Sequence, residues 1–119
     1  MNKVYYFSTC STCQRILEEL DLPDNFEKQD IKTSNITNEQ IEKMAELAGN
    51  YEILFSRRAR KYKELGLKEQ VLKEADYKRL ILEEYTFLKR PVFLIDDEIF
   101  IGNSKKTVAA LKEKIDVKK

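Results

Sequence analysis

Two cysteines, three positions apart, are the residues whose type and spacing could perform redox chemistry. Cys10 and Cys13 form a Cys-Ser-Thr-Cys motif that follows an apolar run. Cys10 precedes a predicted helix, where unpaired backbone N–H groups and the helix dipole favour an anion. Such a position can lower a thiol pKa from about 8.5 to roughly 3.5–7.5. We therefore predict that Cys10 is the more reactive thiol and that Cys13, one turn later, is the resolving thiol.

Two other interpretations of the cysteine pair are half of a zinc site and an inert packed pair. The sequence has no histidine and no third cysteine, so a zinc site would need carboxylates or a second chain. We therefore predict no metal. Inert packing accounts well for Cys13 but poorly for Cys10. A C-x-x-C motif between the first strand and first helix of a β-α-β unit favours the redox interpretation.

Activation of Cys10 must come from backbone dipoles and cations, because the absence of histidine excludes a Cys-His pair. The candidate cations are Arg15, Arg58 and Arg90. Arginine also binds oxyanions through a forked pair of N–H donors. The competing interpretation of the basic stretch 57–61 is a solvated helix surface. The competing interpretation of Arg90 is a charge that flanks a strand.

The predicted elements around the motif form a β-α-β unit, followed by a helical insert and a β-β-α unit. The first unit comprises a strand at Lys3–Phe7, a helix from about Thr12 that Pro23 ends, and a strand at Phe26–Ile31. The insert begins with a helix that the capping-box pair Thr37 and Gln40 starts and Gly49 ends. Short helical pieces at Tyr51–Phe55 and Tyr62–Leu65 follow, and then a longer helix at Leu72–Tyr85. The last unit comprises a hairpin of Val92–Ile95 and Glu98–Ile101 and a helix after Ser104.

Pro91 opens the third predicted strand directly after Arg90. Only about 5% of bonds that precede proline are cis in folded proteins. The residues alone therefore predict a trans bond here.

Composition limits the protein's class and partners. With 119 residues, 42% of them hydrophobic, the chain has the size of one domain with its own core. A net charge of +1 gives no general attraction to nucleic acid or to an anionic membrane. No stretch resembles a secretory signal or approaches the roughly 20 apolar residues of a membrane-spanning helix. We expect a protein of a reducing, cytoplasmic compartment without nucleic-acid or membrane partners.

Three motifs together resemble the family of glutaredoxin-coupled arsenate reductases and Spx regulators, over nearly the whole chain. They are Cys10-Ser11-Thr12-Cys13-Gln14-Arg15, Arg58 with Tyr62-Lys63-Glu64-Leu65-Gly66-Leu67, and Leu88-Lys89-Arg90-Pro91-Val92. The resemblance implies an α/β protein of thioredoxin-like fold and a single domain. Its core would comprise about residues 1–36 and 88–119, with a helical insert at about 37–87.

The resemblance also implies roles for individual residues. Cys10 matches the attacking cysteine of the reductases, and Arg58 and Arg90 match arginines that line their oxyanion site. Pro91 matches a cis-proline that faces the cysteine loop. No bound cofactor is implied. The electrons would come from a thiol donor, either glutathione with glutaredoxin or thioredoxin, and the substrate would be a small oxyanion or a disulfide.

The sequence departs from the reductase pattern in two places. The reductases have a further arginine near the end of the last strand, whereas residues 98–103 contain neither Arg nor Lys. The reductases usually have another residue at the position of Cys13, whereas Spx regulators carry a C-x-x-C motif. The second departure implies an internal Cys10–Cys13 disulfide.

Three functions follow from these observations. The first is a thiol-dependent reductase with Cys10 as nucleophile and Cys13 as resolving thiol. The second is a redox-switched regulator that binds RNA polymerase, because Gly49 falls near the glycine that Spx regulators use at that contact. The third is a family member that keeps the fold without the chemistry.

Overall fold

A four-stranded sheet with helices forms the architecture of the computed structural model, which describes residues 2–118. The strands are β1 (Asn2–Tyr6), β2 (Glu27–Asp30), β3 (Val92–Ile95) and β4 (Glu98–Ile101). The helices are α1 (Ser11–Leu20), α2 (Asn38–Ala48), α3 (Arg60–Glu64), α4 (Glu74–Glu83) and α5 (Lys105–Lys118). Short 3₁₀ helices lie at Glu52–Leu54, Leu67–Glu69 and Tyr85–Phe87. This element order confirms the predicted mixed α/β class.

Strand β1 lies inside the sheet, whose order is β2-β1-β3-β4. It runs parallel to β2 and antiparallel to β3, and β3 forms an antiparallel hairpin with β4. A parallel pair requires a crossover connection, which α1 provides between β1 and β2. The loop that carries Cys10 therefore leaves the interior of the sheet at the carboxyl end of β1.

Helices α1 and α5 share one hydrophobic core with the sheet. Its buried members are Val4, Ile16, Leu20, Phe26, Phe93, Ile95, Leu111 and Ile115. Residues 16 and 20, and likewise 111 and 115, are four positions apart and lie on one face of their helix. The rings of Phe26 and Phe93 pack edge to face at 6.2 Å. This core fixes the start of α1 against β1, which is where the cysteines lie.

The chain forms two compact units. The core unit comprises Met1–Ser34 and Arg90–Lys119, and the insert unit comprises Asn35–Lys89. The insert unit has an aromatic core around Phe55, whose ring centroid lies 5.0 Å from those of Tyr77 and Phe87 and 6.0 Å from that of Tyr62. The prediction that the chain is a single domain with an insert stays a prediction.

Several predicted boundaries were wrong, most of all for the longer helix predicted at Leu72–Tyr85. Lys73 and Glu84 have extended backbones, so α4 covers only the residues between them. The Glu84 carboxylate accepts a bond from the backbone N–H of Thr86, which starts a separate 3₁₀ turn. Helix α3 begins at Arg60 within the basic stretch, and α1 begins one residue earlier than predicted. Among the described residues, no helix is long and apolar enough to cross a membrane.

The capping box of α2 gives a testable prediction for stability. The Thr37 hydroxyl accepts a bond from the Gln40 N–H at 3.1 Å, and the Gln40 side chain accepts one from the Thr37 N–H at 3.0 Å. Thr37→Ala should lower the free energy of unfolding by about 1 kcal/mol, because a helix-terminal donor loses its partner. Urea unfolding would measure this change, with Thr37→Ser as the control. Equal stabilities of the alanine variant and wild type would contradict the prediction.

Candidate active site

Cys10 is the N-cap residue of α1. Its backbone is extended, at φ −91° and ψ 111°, and its carbonyl accepts a bond from Gln14 N–H at 3.1 Å. Its Sγ atom accepts a bond from the Cys13 N–H at 3.4 Å. The N–H groups in the first turn of a helix have no partner within the helix. One of them therefore points at the Cys10 sulfur, where it stabilises a negative charge.

The loop before Cys10 is held by hydrogen bonds from both sides. The Cys10 N–H donates to the Phe7 carbonyl at 3.1 Å, so the chain turns at the end of β1. The Ser8 N–H donates to a carboxylate oxygen of Asp30 at 3.1 Å, and the Gln14 side chain donates to the Ser8 carbonyl at 2.8 Å. These bonds tie the loop to β2 and to α1. The position of the Cys10 thiol is thereby fixed by backbone contacts.

Arg90 supplies a positive charge to this loop. Its guanidinium carbon lies 4.4 Å from the centroid of the Phe7 ring. The charge and N–H donors of the same guanidinium help to lower the pKa of the Cys10 thiol. A cysteine next to an arginine and at a helix N-terminus is the arrangement that favours a thiolate.

The two thiols have opposite pKa shifts. Partial burial raises the pKa of Cys10, but hydrogen bonds from the Cys13 backbone and thiol, together with Arg90, lower it below its ordinary value overall. Burial raises the pKa of Cys13 to about 12, and the neighbouring Cys10 adds to this effect. Cys13 is fully buried, whereas Cys10 is partly exposed. The site thus has one partly exposed thiol with a lowered pKa and one buried thiol with a raised pKa.

The pH dependence of alkylation should separate these thiols. Because the pKa of Cys10 is lowered, its alkylation by iodoacetamide should rise with pH and reach half of its maximum at a lower pH than that of an ordinary cysteine. Cys13 should stay unmodified over the same pH range, because it is buried and protonated. Fragment-ion mass spectrometry would locate the label on either cysteine. Modification of Cys13 before Cys10 would contradict the prediction.

The structure places three of the predicted site residues close together. Cys10, Cys13 and Arg90 lie together, and both cysteines are free thiols. Arg15 is exposed on α1, and Arg58 is exposed in the turn before α3 in the insert unit. Substrate binding by these two arginines, and the Cys10–Cys13 disulfide, stay predictions.

The bond between Arg90 and Pro91 is cis, so the trans bond that the residues alone predicted is wrong. Pro91 is buried, and its carbonyl accepts a bond from the Gly102 N–H at 3.0 Å at the end of the hairpin. The place of Pro91 in the active site stays a prediction.

Sequence reasoning missed two residues of this site. The sequence predicts Phe7 only as the end of a buried strand, whereas its ring contacts Arg90 and its carbonyl accepts the Cys10 N–H. It predicts Asp30 only as part of the second strand, whereas the Asp30 carboxylate also accepts backbone bonds from Ser8 and Lys32. No local pattern signals the contact of Phe7 with Arg90 or that of Asp30 with Ser8, because these residues are 83 and 22 positions apart in sequence. Among the described residues, no group of three or more potential ligands could hold a metal ion.

Comparisons with known proteins agree with this architecture. The ArsC family model matches residues 5–111. An ArsC-family-related protein from Bacteroides fragilis is 22% identical with a TM-score of 0.76, over 92% of this chain and 96% of that one. An arsenate reductase from Vibrio cholerae is 16% identical with a TM-score of 0.76, over the same shares of the two chains. SACOL0876 from Staphylococcus aureus is 26% identical with a TM-score of 0.71, over 92% and 97%.

These similarities confirm the predicted thioredoxin-like fold and the resemblance to arsenate reductase-like proteins. The search among curated proteins found no match.

Proposed function

The chain belongs to the ArsC family, a family of thiol-dependent reductases, and from this premise we propose that it is a reductase with Cys10 as the attacking nucleophile. Cys13 is the resolving thiol in this proposal, and Arg90 binds the anionic part of the substrate. The observation that supports it best is the position of Cys10 as the α1 N-cap beside Arg90, with a lowered pKa. Such a thiol is a thiolate at lower pH than an ordinary cysteine.

With arsenate as substrate, the first step forms a bond between the Cys10 sulfur and arsenic(V). One arsenate hydroxyl leaves as water after it accepts a proton. Arg90 stabilises the negative charge of the remaining oxygens through its N–H donors. The product of this step is a covalent thioarsenate on Cys10.

In the second step, a second thiolate attacks the Cys10 sulfur and the sulfur–arsenic bond breaks. The electron pair of that bond passes to arsenic, which leaves as arsenic(III) in arsenite, while the two sulfurs form a disulfide. Cys13 is the proposed attacking thiol. Cys13 must lose its proton before it attacks, and both its burial and the neighbouring Cys10 raise its pKa in the free protein.

A thiol donor then reduces the Cys10–Cys13 disulfide. Two donor thiols lose two electrons and become a disulfide, which balances the reduction of arsenic. Glutathione with glutaredoxin or a thioredoxin can supply these thiols. The same cysteines can reduce a disulfide substrate, in which case the first step is an exchange that releases one substrate thiol.

Trapping of the covalent intermediate tests this proposal. Cys13→Ser protein treated with oxidised glutathione should accumulate a mixed disulfide on Cys10, because the resolving thiol is absent. Wild-type protein should instead proceed to the internal disulfide. Mass spectrometry of the intact protein and its peptides would measure both products. Cys10→Ser is the control, and an equal yield of adduct on its Cys13 would contradict the assignment of the nucleophile.

The alternative function, a regulator that binds RNA polymerase, stays a prediction without a specific observation in its favour. Gly49, its motivating residue, is the C-cap of α2 with φ +108°. Residues with a side chain rarely adopt that backbone conformation. The end of the helix therefore accounts for this glycine without a partner protein.

A further inference from the structure

The Phe7 ring contacts Arg90, the cation that helps to lower the pKa of the Cys10 thiol. Phe7 is buried, with 4% of its surface exposed, and lies directly after β1. The guanidinium carbon of Arg90 is 4.4 Å from its ring centroid, well within the roughly 6 Å over which a cation is attracted to an aromatic face. The ring is thus a fixed surface for a long and otherwise flexible side chain.

The same residue holds both cysteines through its backbone. The Phe7 carbonyl accepts the Cys10 N–H at 3.1 Å, and its backbone N–H donates to the Cys13 sulfur. Phe7 therefore contacts all three members of the candidate site. A displacement of its ring would move Arg90 relative to a thiol whose loop is tied to the same residue.

An aromatic partner leaves the charge and the N–H donors of Arg90 available, whereas an acidic partner does not. A carboxylate would take up the N–H donors of Arg90 and neutralise its charge, whereas a ring contacts the guanidinium and accepts no ordinary hydrogen bond. Among the described residues of the core unit, no carboxylate forms an ion pair with Arg90. The donors of Arg90 remain available to Cys10 and to a bound anion.

We infer that Phe7 is a positioning residue, whose ring holds the Arg90 guanidinium beside the Cys10 thiol with its charge and N–H donors uncommitted. This inference rests on the proposed function, since it assigns Phe7 a part in activating the Cys10 nucleophile. The ionisable groups that act on the Cys10 thiol are Cys13 from α1 and Arg90 from the segment before β3. Phe7 acts through the second of these.

The test is a double-mutant cycle that uses the apparent pKa of Cys10 as its readout. The proteins are wild type, Phe7→Leu, Arg90→Gln and the double variant, and iodoacetamide alkylation is followed against pH. Leucine keeps an apolar side chain but lacks the ring. Phe7→Leu should raise the apparent pKa and slow alkylation at neutral pH by about fivefold, as expected for loss of a partly desolvated cation–ring contact.

The cycle separates positioning from general packing. In the Arg90→Gln background, Phe7→Leu should have no further effect on the pKa, because the cation that the ring holds is gone. Phe7→Tyr keeps an aromatic face and should retain the wild-type pKa. An undiminished effect of Phe7→Leu in the Arg90→Gln background, or no effect in the wild-type background, would overturn the inference.

A measurement on the wild-type protein keeps the inference testable where Phe7→Leu fails to fold. Protons of the Arg90 side chain should show upfield ring-current shifts in NMR spectra, and random-coil shifts would overturn the inference. Neither readout depends on turnover. If Cys10→Ser retained activity, the proposed function would fail while the pKa cycle and the ring-current shifts still reported on the Phe7–Arg90 contact.

Discussion

Cys10→Ser should lower reductase turnover by about a thousandfold or more, because loss of a covalent nucleophile has effects of this order or larger. Serine places a hydroxyl oxygen where Cys10 has its sulfur, so an N-cap acceptor for the Cys13 N–H is retained at the start of α1. Its hydroxyl lacks the acidity of a thiol and does not form the sulfur–arsenic or disulfide bond that the proposed mechanism needs. The measurement is steady-state reduction of arsenate, and separately of a disulfide, with glutathione and glutaredoxin as donors.

Cys13→Ser is the matched control for this experiment. It should still form the first covalent adduct but release product slowly, because an external thiol must resolve the adduct. The two variants therefore differ in the step that they block. Full turnover by Cys10→Ser protein would refute the proposed nucleophile and would leave a family member that keeps the fold without this chemistry.

Arg90→Gln should lower kcat/KM for an anionic substrate by about a hundredfold or more, as expected when one stabilising donor of a developing charge is removed. Two effects combine in this loss. The pKa of Cys10 loses the lowering contribution of the guanidinium, and the substrate oxygens lose a cation. Glutamine keeps part of the side-chain length and one amide donor group, so the variant removes the charge with little loss of volume.

Two alkylating agents separate these effects for Arg90→Gln. Iodoacetamide is neutral and reports the change in thiolate fraction, whereas iodoacetate is anionic and also reports attraction by the cation. The loss of rate should be larger for iodoacetate. Arg79→Gln makes the same change on the surface of α4, where the arginine forms exposed ion pairs that contribute little. Equal losses in the two arginine variants would contradict a specific role for Arg90.

The resemblance of three short motifs to a known family predicted more about this protein than its composition did. Their order along the chain predicted the thioredoxin-like fold, which the comparisons confirm. Composition limited the size and charge of the protein but could not separate a reductase from a regulator. The assignment of Cys10 as nucleophile rests on motif position and geometry together, and it stays a proposal.

The sequence by itself determined the local features of this protein. Apolar spacing placed the helix that follows Cys10, and Thr37 with Gln40 marked the start of α2, because both signals involve residues within one or two helical turns. The exposed end of α4 shows the limit of such patterns. There the Glu84 side chain bonds to a nearby backbone N–H, and this local competition ended the helix earlier than periodicity predicted.

Only the tertiary structure decided how the Cys10 site is assembled. The contact of Phe7 with Arg90 and the bond from Ser8 to Asp30 join residues that are distant in sequence, and they form because the pairing of β1 with β2 and β3 brings the strand ends together. The cis bond before Pro91 likewise follows no local residue preference. Local patterns thus placed Cys10 at the start of a helix, whereas its neighbouring cation and its loop contacts depend on the assembled sheet.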